Sequence, residues 1–217
     1  MKRLFSFFMV FCVAFLFGQI NIDAIRKNVT ENPQKYYYDN LEIFKTNPAD
    51  LSQEQLNYIY YGNNYVDYGF DRSEFNKKLG EVSKIAQKQA SKKLASQILE
   101  KAVPLYQLNP TNKTLLNDLV LLYLNSGDKA KSDFHSLQYR LLMETIENSG
   151  TGLLEETPIV VTNFQDKFLA VEQFSKVFTQ GITFKVKQLE DGSWLDIFKN
   201  GMDLYFIKTV HHKDMFK

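Results

Sequence analysis

One cysteine, Cys12, stands in the whole chain, and it sits inside an apolar run near the N-terminus. With no second cysteine the chain makes no internal disulfide, and Cys12 follows Phe11 in mid-run rather than the small residues of a lipidation signal. Charge of either sign is not in excess: 26 basic side chains face 25 acidic ones, a formal net charge of +1. That balance lacks the broad positive field needed for non-specific nucleic-acid binding, and no nucleic-acid partner is expected. Nucleotide-loop, GxSxG and HExxH patterns are missing too, so the commonest phosphate-binding, serine-hydrolase and zinc-protease signatures are excluded. Aromatic residues are not scarce: 12 Tyr and 18 Phe argue for an ordered, well-filled core.

The apolar run itself, Leu4 to Phe17, follows Lys2-Arg3 and ends at Gly18-Gln19. A basic start, a short apolar stretch and a small residue at the exit make a secretory signal peptide over residues 1–18. The run falls short of the roughly 20 residues that a membrane-spanning helix needs. Cleavage after Gly18 would export the rest to the periplasm or the exterior without stable membrane insertion. It would also remove Cys12 and take the net charge just below zero.

Beyond the leader the pattern is helical. Asn32-Pro33, Asn47-Pro48 and Asn109-Pro110 are natural helix stops, because the residue before proline is pushed out of helical geometry. Ile22, Ile25 and Val29 give one face of a first helix, and Tyr37, Leu41 and Phe44 that of a second. Ser52 with Gln55 reads as a capping box, and Leu56, Ile59 and Tyr60 continue that helix to Gly62. Residues 63–72 read as irregular. Helical periodicity resumes over about 79–108, with a possible break at QKQASKK and a kink expected at Pro104. Leu115 to Leu124, the turn Ser126-Gly127-Asp128, and a helix from Lys129 to about Asn148 follow, the last with Phe134, Leu137, Leu141, Leu142 and Ile146 as its apolar face. Within 98–127, Ile98, Ala102, Leu105 and Pro110, then Leu116, Leu119, Tyr123 and Gly127, resemble a tetratricopeptide repeat, so residues 20–148 read as a degenerate helical-hairpin array.

From Ser149 the signal changes. Ser149-Gly150-Thr151-Gly152 reads as a flexible joint and Pro158 to Thr162 as a strand. Phe164, Phe168, Val171, Phe174 and Phe178 are spaced as a helix. Ile182, Phe184 and Val186 alternate with polar residues as a half-buried strand. Asp191-Gly192 and Asn200-Gly201 are hairpin turns joining further strands over 194–198 and 202–210. Residues 149–217 are therefore expected to form a small antiparallel β-α-β-β-β unit, and the fold class is α+β.

The order of Tyr58-Ile59-Tyr60-Tyr61-Gly62, the punctuation at 109–110 and 127–128, and Ser149-Gly150-Thr151-Gly152 followed by Ile159-Val160-Val161 resembles the domain-of-unknown-function family 4919 of Bacteroidota. The chain departs from that pattern at Leu153 to Pro158, where a more polar link is usual. The resemblance implies export and a helical body, and it brings no catalytic residues with it.

Candidate sites are few. Tyr58, Tyr61, Tyr65 and Tyr68, within a larger tyrosine cluster, would suit peptide or sugar binding if exposed, and would pack between helices if not. Tyr60 and Tyr61, being consecutive, are expected to face different sides. His211-His212-x-Asp214 has poor geometry for one metal ion, Glu155-Glu156 reads as a solvated linker, and His135 as a surface or interhelix residue. No metal and no cofactor is expected. The sequence points to a non-enzymatic binding module for a protein, peptide or envelope glycan, the alternative being a small envelope hydrolase with a carboxylate site.

Overall fold

The computed structural model describes residues 20–67, 69–88, 90–175, 183–200 and 202–210. The leader read over 1–18 and the His211-His212-x-Asp214 group lie outside these residues. No helix among those described is long and apolar enough to cross a membrane. The chain divides into two compact units, Asp23–Thr145 and the part from Ile146 onward.

The first unit is helical throughout. Helix α1 (Ile22–Glu31) buries Ile25 and Val29. Asn32-Pro33 ends it without ending helical backbone: Pro33 itself is helical, and a π-type turn over Gln34–Tyr38 runs directly into α2 (Asp39–Thr46). Asn47 does break the path, at φ −145 and ψ 71, before a 3₁₀ turn at Pro48–Asp50. Helix α3 (Gln53–Gly62) opens with the reciprocal Ser52–Gln55 capping box, so two of its otherwise orphaned N–H groups are satisfied. A 3₁₀ turn at Asn63–Tyr65 follows. The helical region read over 79–108, with its possible break at QKQASKK, is two helices, α4 (Arg72–Ala86) and α5 (Lys92–Leu108). They are parted in the polar stretch, where Ser91 caps α5. Helix α5 runs on through Pro104 and stops at Asn109, where the backbone turns to φ −141, ψ 81. Helix α6 (Lys113–Ser126) closes on Gly127 at φ 92, with Gly127 and Asp128 donating back to Leu124 and Tyr123. That left-handed closure requires a residue without a Cβ penalty. Helices α4, α5 and α6 pack against one another.

Helix α7 (Lys129–Glu147) corrects the face expected from its apolar residues. The buried stripe is Ser132, His135, Gln138, Leu142, Met143, Thr145 and Ile146, so Leu142 and Ile146 of the expected face are buried, whereas Phe134, Leu137 and Leu141 are half-buried. The apolar residues alone misplace the N-terminal half of the stripe because polar residues, Ser132, His135 and Gln138, occupy it.

The second unit is a four-stranded sheet with one helix. Strand β1 (Ile159–Val161) is followed by α8 (Phe164–Ser175), then β2 (Thr183–Gln188), β3 (Trp194–Asn200) and β4 (Asp203–Thr209), in the sheet order β1-β4-β3-β2. The expectation of an antiparallel unit is corrected: β2–β3 and β3–β4 are antiparallel hairpins, but β1 lies parallel to β4 with Ile159 opposite Ile207, so the sheet is mixed. Local turn residues dictate the hairpins, whereas the β1–β4 pairing closes a long crossover through α8. Helix α8 packs on β1 and β4. On edge strand β2, Val186 is exposed along with Lys185 and Lys187, against the burial its alternation suggests for that position. On α8, Phe164 and Phe168 are likewise exposed, stacked edge to face at 4.7 Å, while Asp166, Lys167, Ala170 and Val171 are buried. Residues 176–182, with Phe178, lie outside the described part.

Ser149–Gly152 is not a flexible joint. A Cβ on Gly150 would come within 2.1 Å of the Pro158 carbonyl oxygen, and Gly152 sits at φ +67 with its would-be Cβ 2.9 Å from Ile159. These glycines let the 150s loop fold back on itself. The Gly152 N–H donates to Thr157 and the Gly152 carbonyl accepts from Phe206 of β4. A Glu155–Lys187 ion pair of 2.6 Å ties the loop to β2.

Candidate functional site

The tyrosines come first, since they are the residues the sequence singles out. Tyr58 and Tyr61 are buried in the helical unit, with Tyr61 only 1 % exposed. Tyr65 is half-buried, and Tyr68 lies outside the described residues. Tyr58 accepts from the Asn28 amide at 2.7 Å, and Tyr37 donates to Asn63 at the same distance. Consecutive Tyr60 and Tyr61 are both buried, their rings 4.6 Å apart and nearly perpendicular, and Lys113 lies 4.6 Å over Tyr60. The expected divergence of these two rings is resolved by helix α3 being covered on more than one side. Tyr37, Tyr58, Tyr60 and Tyr61 form core, with the Tyr37 and Tyr58 hydroxyls bonded to asparagine side chains.

A second cluster, not singled out in the sequence, sits at the centre of the same unit. The Gln138 amide donates at 2.7 Å both to the Phe44 carbonyl of α2 and to the Tyr106 hydroxyl of α5. Its carbonyl faces His135 Nδ1 at 2.8 Å, which sets that nitrogen as the donor. The His135 ring stacks on Tyr123 at 5.4 Å and meets Tyr106 edge-on at 4.9 Å. Burial pushes the Tyr106 hydroxyl up to about 12, against the Gln138 bond. Burial also holds His135 below its ordinary value, against its own bond to Gln138. The cluster is buried and ties α7 to α2 and α5.

Asp118 of α6 is fully enclosed, with one oxygen accepting from the Ser83 hydroxyl of α4 and the other without a partner among the described residues. Burial raises its pKa, and the Ser83 bond only partly offsets this. In the second unit Lys167 and Asp196 form an ion pair of 2.9 Å with both side chains under a tenth exposed. Thr209 adds a bond to Asp196, and Lys167 lies 4.4 Å over the Phe164 ring. Among the described residues no three metal-binding side chains come together.

A cleft of about 570 Å³ opens in the second unit, between the 150s loop and the start of β4. Its walls carry Leu153, Leu154, Met202 and Leu204, exposed by 60, 57, 98 and 43 %. Glu155 and Asp203 lie on its rim, Glu155 being the one held by Lys187. Leu153, Tyr205 and Phe206 also line a smaller apolar pocket of about 200 Å³, floored by Ile159, Ile207 and, from α8, Val171. Two features of the sequence bear on this site: a Leu-Leu pair in a segment read as linker, and a methionine placed just after a tight Asn-Gly turn.

A family model described as Domain of unknown function (DUF4919) matches residues 23–189. The chain belongs to this family. In this DUF4919 member the matched span takes in the helical unit and the tail as far as β2, so it includes Leu153, Leu154 and Glu155 of the cleft but stops short of Met202 to Phe206. No curated protein and no solved structure is significantly similar to the chain.

Proposed function

We propose that this DUF4919 member is an exported, non-enzymatic binding module of the bacterial envelope, periplasmic or extracellular, that engages its partner through the apolar cleft of the α/β tail. Four large apolar side chains exposed around one concavity carry the reading. Soluble proteins seldom leave such groups clustered at the surface except where something binds. The buried tyrosines Tyr58, Tyr60 and Tyr61 support the fold rather than the contact. The helical unit acts as a degenerate tetratricopeptide-like support: Ile98, Ala102 and Leu105 of α5 and Leu116, Leu119 and Tyr123 of α6 are all buried, as that repeat phase requires.

Photo-crosslinking tests the assignment. A crosslinkable residue at position 154 or 204 is expected to capture a discrete partner in envelope extracts. The Leu154→Glu plus Leu204→Glu variant, changed only at exposed positions, is expected to lose it while unfolding normally. Capture that survives the double variant would move the site elsewhere.

A further inference from the structure

We infer that the cleft takes an extended segment of a partner protein, apolar at its centre and bearing lysine or arginine at its flanks, which adds as a short strand beside Leu204 of β4. This rests on the cleft being the binding surface, as proposed above.

Main-chain geometry gives the first argument. The Phe206 N–H donates to the Gly152 carbonyl and the Val210 N–H to the Val161 carbonyl, both on the side of β4 away from β3. Alternate residues of a strand point their N–H and C=O groups to the same side. Leu204 therefore points its own pair that way too. Strand β1 begins opposite Ile207 and does not reach Leu204. Among the described residues no hydrogen bond beyond the sheet engages the Leu204 N–H and C=O, and Leu204 lines the cleft. An unspent donor and acceptor on a strand edge is what an extended peptide satisfies.

Side chains give the second. An added strand would lay its alternate residues against Leu153, Leu154 and Met202. The pocket over Ile159, Val171 and Ile207 has room for about one large apolar side chain, the kind of anchor that dominates peptide recognition.

Charge supplies the third. Glu155 and Asp203 line the cleft with exposed Glu156 next in sequence, no basic residue lines it, and of these acids only Glu155, held by Lys187, is ion-paired among the described residues. A positive flank is complementary to that rim. A second copy of the chain, docked symmetrically, would instead set these acids against their own equivalents.

The test uses synthetic peptides on the purified protein, read by fluorescence polarisation. One carries alternating leucine and threonine between lysine pairs, a second has glutamate pairs instead, and a third is the lysine form N-methylated at its central amides. The lysine peptide is expected to bind about tenfold or more tighter than the glutamate form at low salt, the gap closing as salt rises. N-methylation is expected to abolish binding, and Asp203→Lys to reduce the preference for lysine flanks. Equal binding of both charges, or undiminished binding of the N-methylated peptide, overturns the strand inference. It does so without touching the cleft assignment if Leu154→Glu still blocks binding. If no peptide binds while position 204 crosslinks to a second copy of the chain, the inferred occupant is wrong and the cleft is a self-interface.

Discussion

Gln138 joins three helices with one side chain: its amide reaches α2 and α5 from α7, and its carbonyl orients His135. Replacing it with leucine would fill the space but strand the Tyr106 hydroxyl, the Phe44 carbonyl and the His135 N–H without partners. At about 1–3 kcal/mol for each unsatisfied buried group, Gln138→Leu is expected to destabilise the helical unit by about 3 kcal/mol or more, read as a fall in urea midpoint. Asp118 sets a pH dependence of definite sign. Its folded pKa lies above the unfolded value of 3.8, so the fold favours the protonated acid. Stability is complete below 3.8 and is lost as pH climbs through the raised value. Asp118→Asn is expected to flatten that loss and raise the urea midpoint at neutral pH. His135 acts from the other side: its folded pKa lies below 6.5, so the same unit loses stability as pH falls from 6.5 through the lowered value. None of these roles was legible in the sequence. A glutamine and an aspartate on helices read as solvent-facing and His135 as surface or interhelix, and only the packing of α4 to α7 shows that all three are enclosed.

Elements show the opposite balance. Helix boundaries at Asn47, Ser52, Asn109 and Gly127 were legible because each is a local backbone requirement, a pre-proline residue, a cap or a left-handed closure, that the chain meets with residues adjacent to it. Asp191-Gly192 and Asn200-Gly201 announced the hairpins in the same way. The parallel pairing of β1 with β4 was not legible, since nothing near Ile159 specifies a partner at Ile207. Two glycines separate local freedom from close approach. Gly80, exposed within α4, has nothing within 4 Å of a would-be Cβ. Gly80→Ala is expected to stabilise the protein by about 0.5–1 kcal/mol, measured as a rise in melting temperature. Gly150→Ala would drive a Cβ into the Pro158 carbonyl and is expected to release the 150s loop, seen as faster proteolysis between 150 and 158.

At the scale of the molecule the two units divide the work. The helical unit spends its aromatic and polar groups internally, through Tyr58, Tyr61, Tyr106 and His135, and the tail leaves its apolar groups outward, through Leu153, Leu154, Met202 and Leu204. The tyrosines drew attention in the sequence because aromatic residues serve cores and binding faces alike. The cleft was hidden because its two sides are some fifty residues apart and meet only through the fold of the sheet. The cleft is the proposed contact surface. Amide hydrogen exchange on the protein, alone and saturated with its crosslinked partner, tests it most directly. Protection is expected over 151–155 and 202–206, with the Leu204 amide among the most slowed. Protection confined to α1–α7, with those two segments exchanging unchanged, would contradict it.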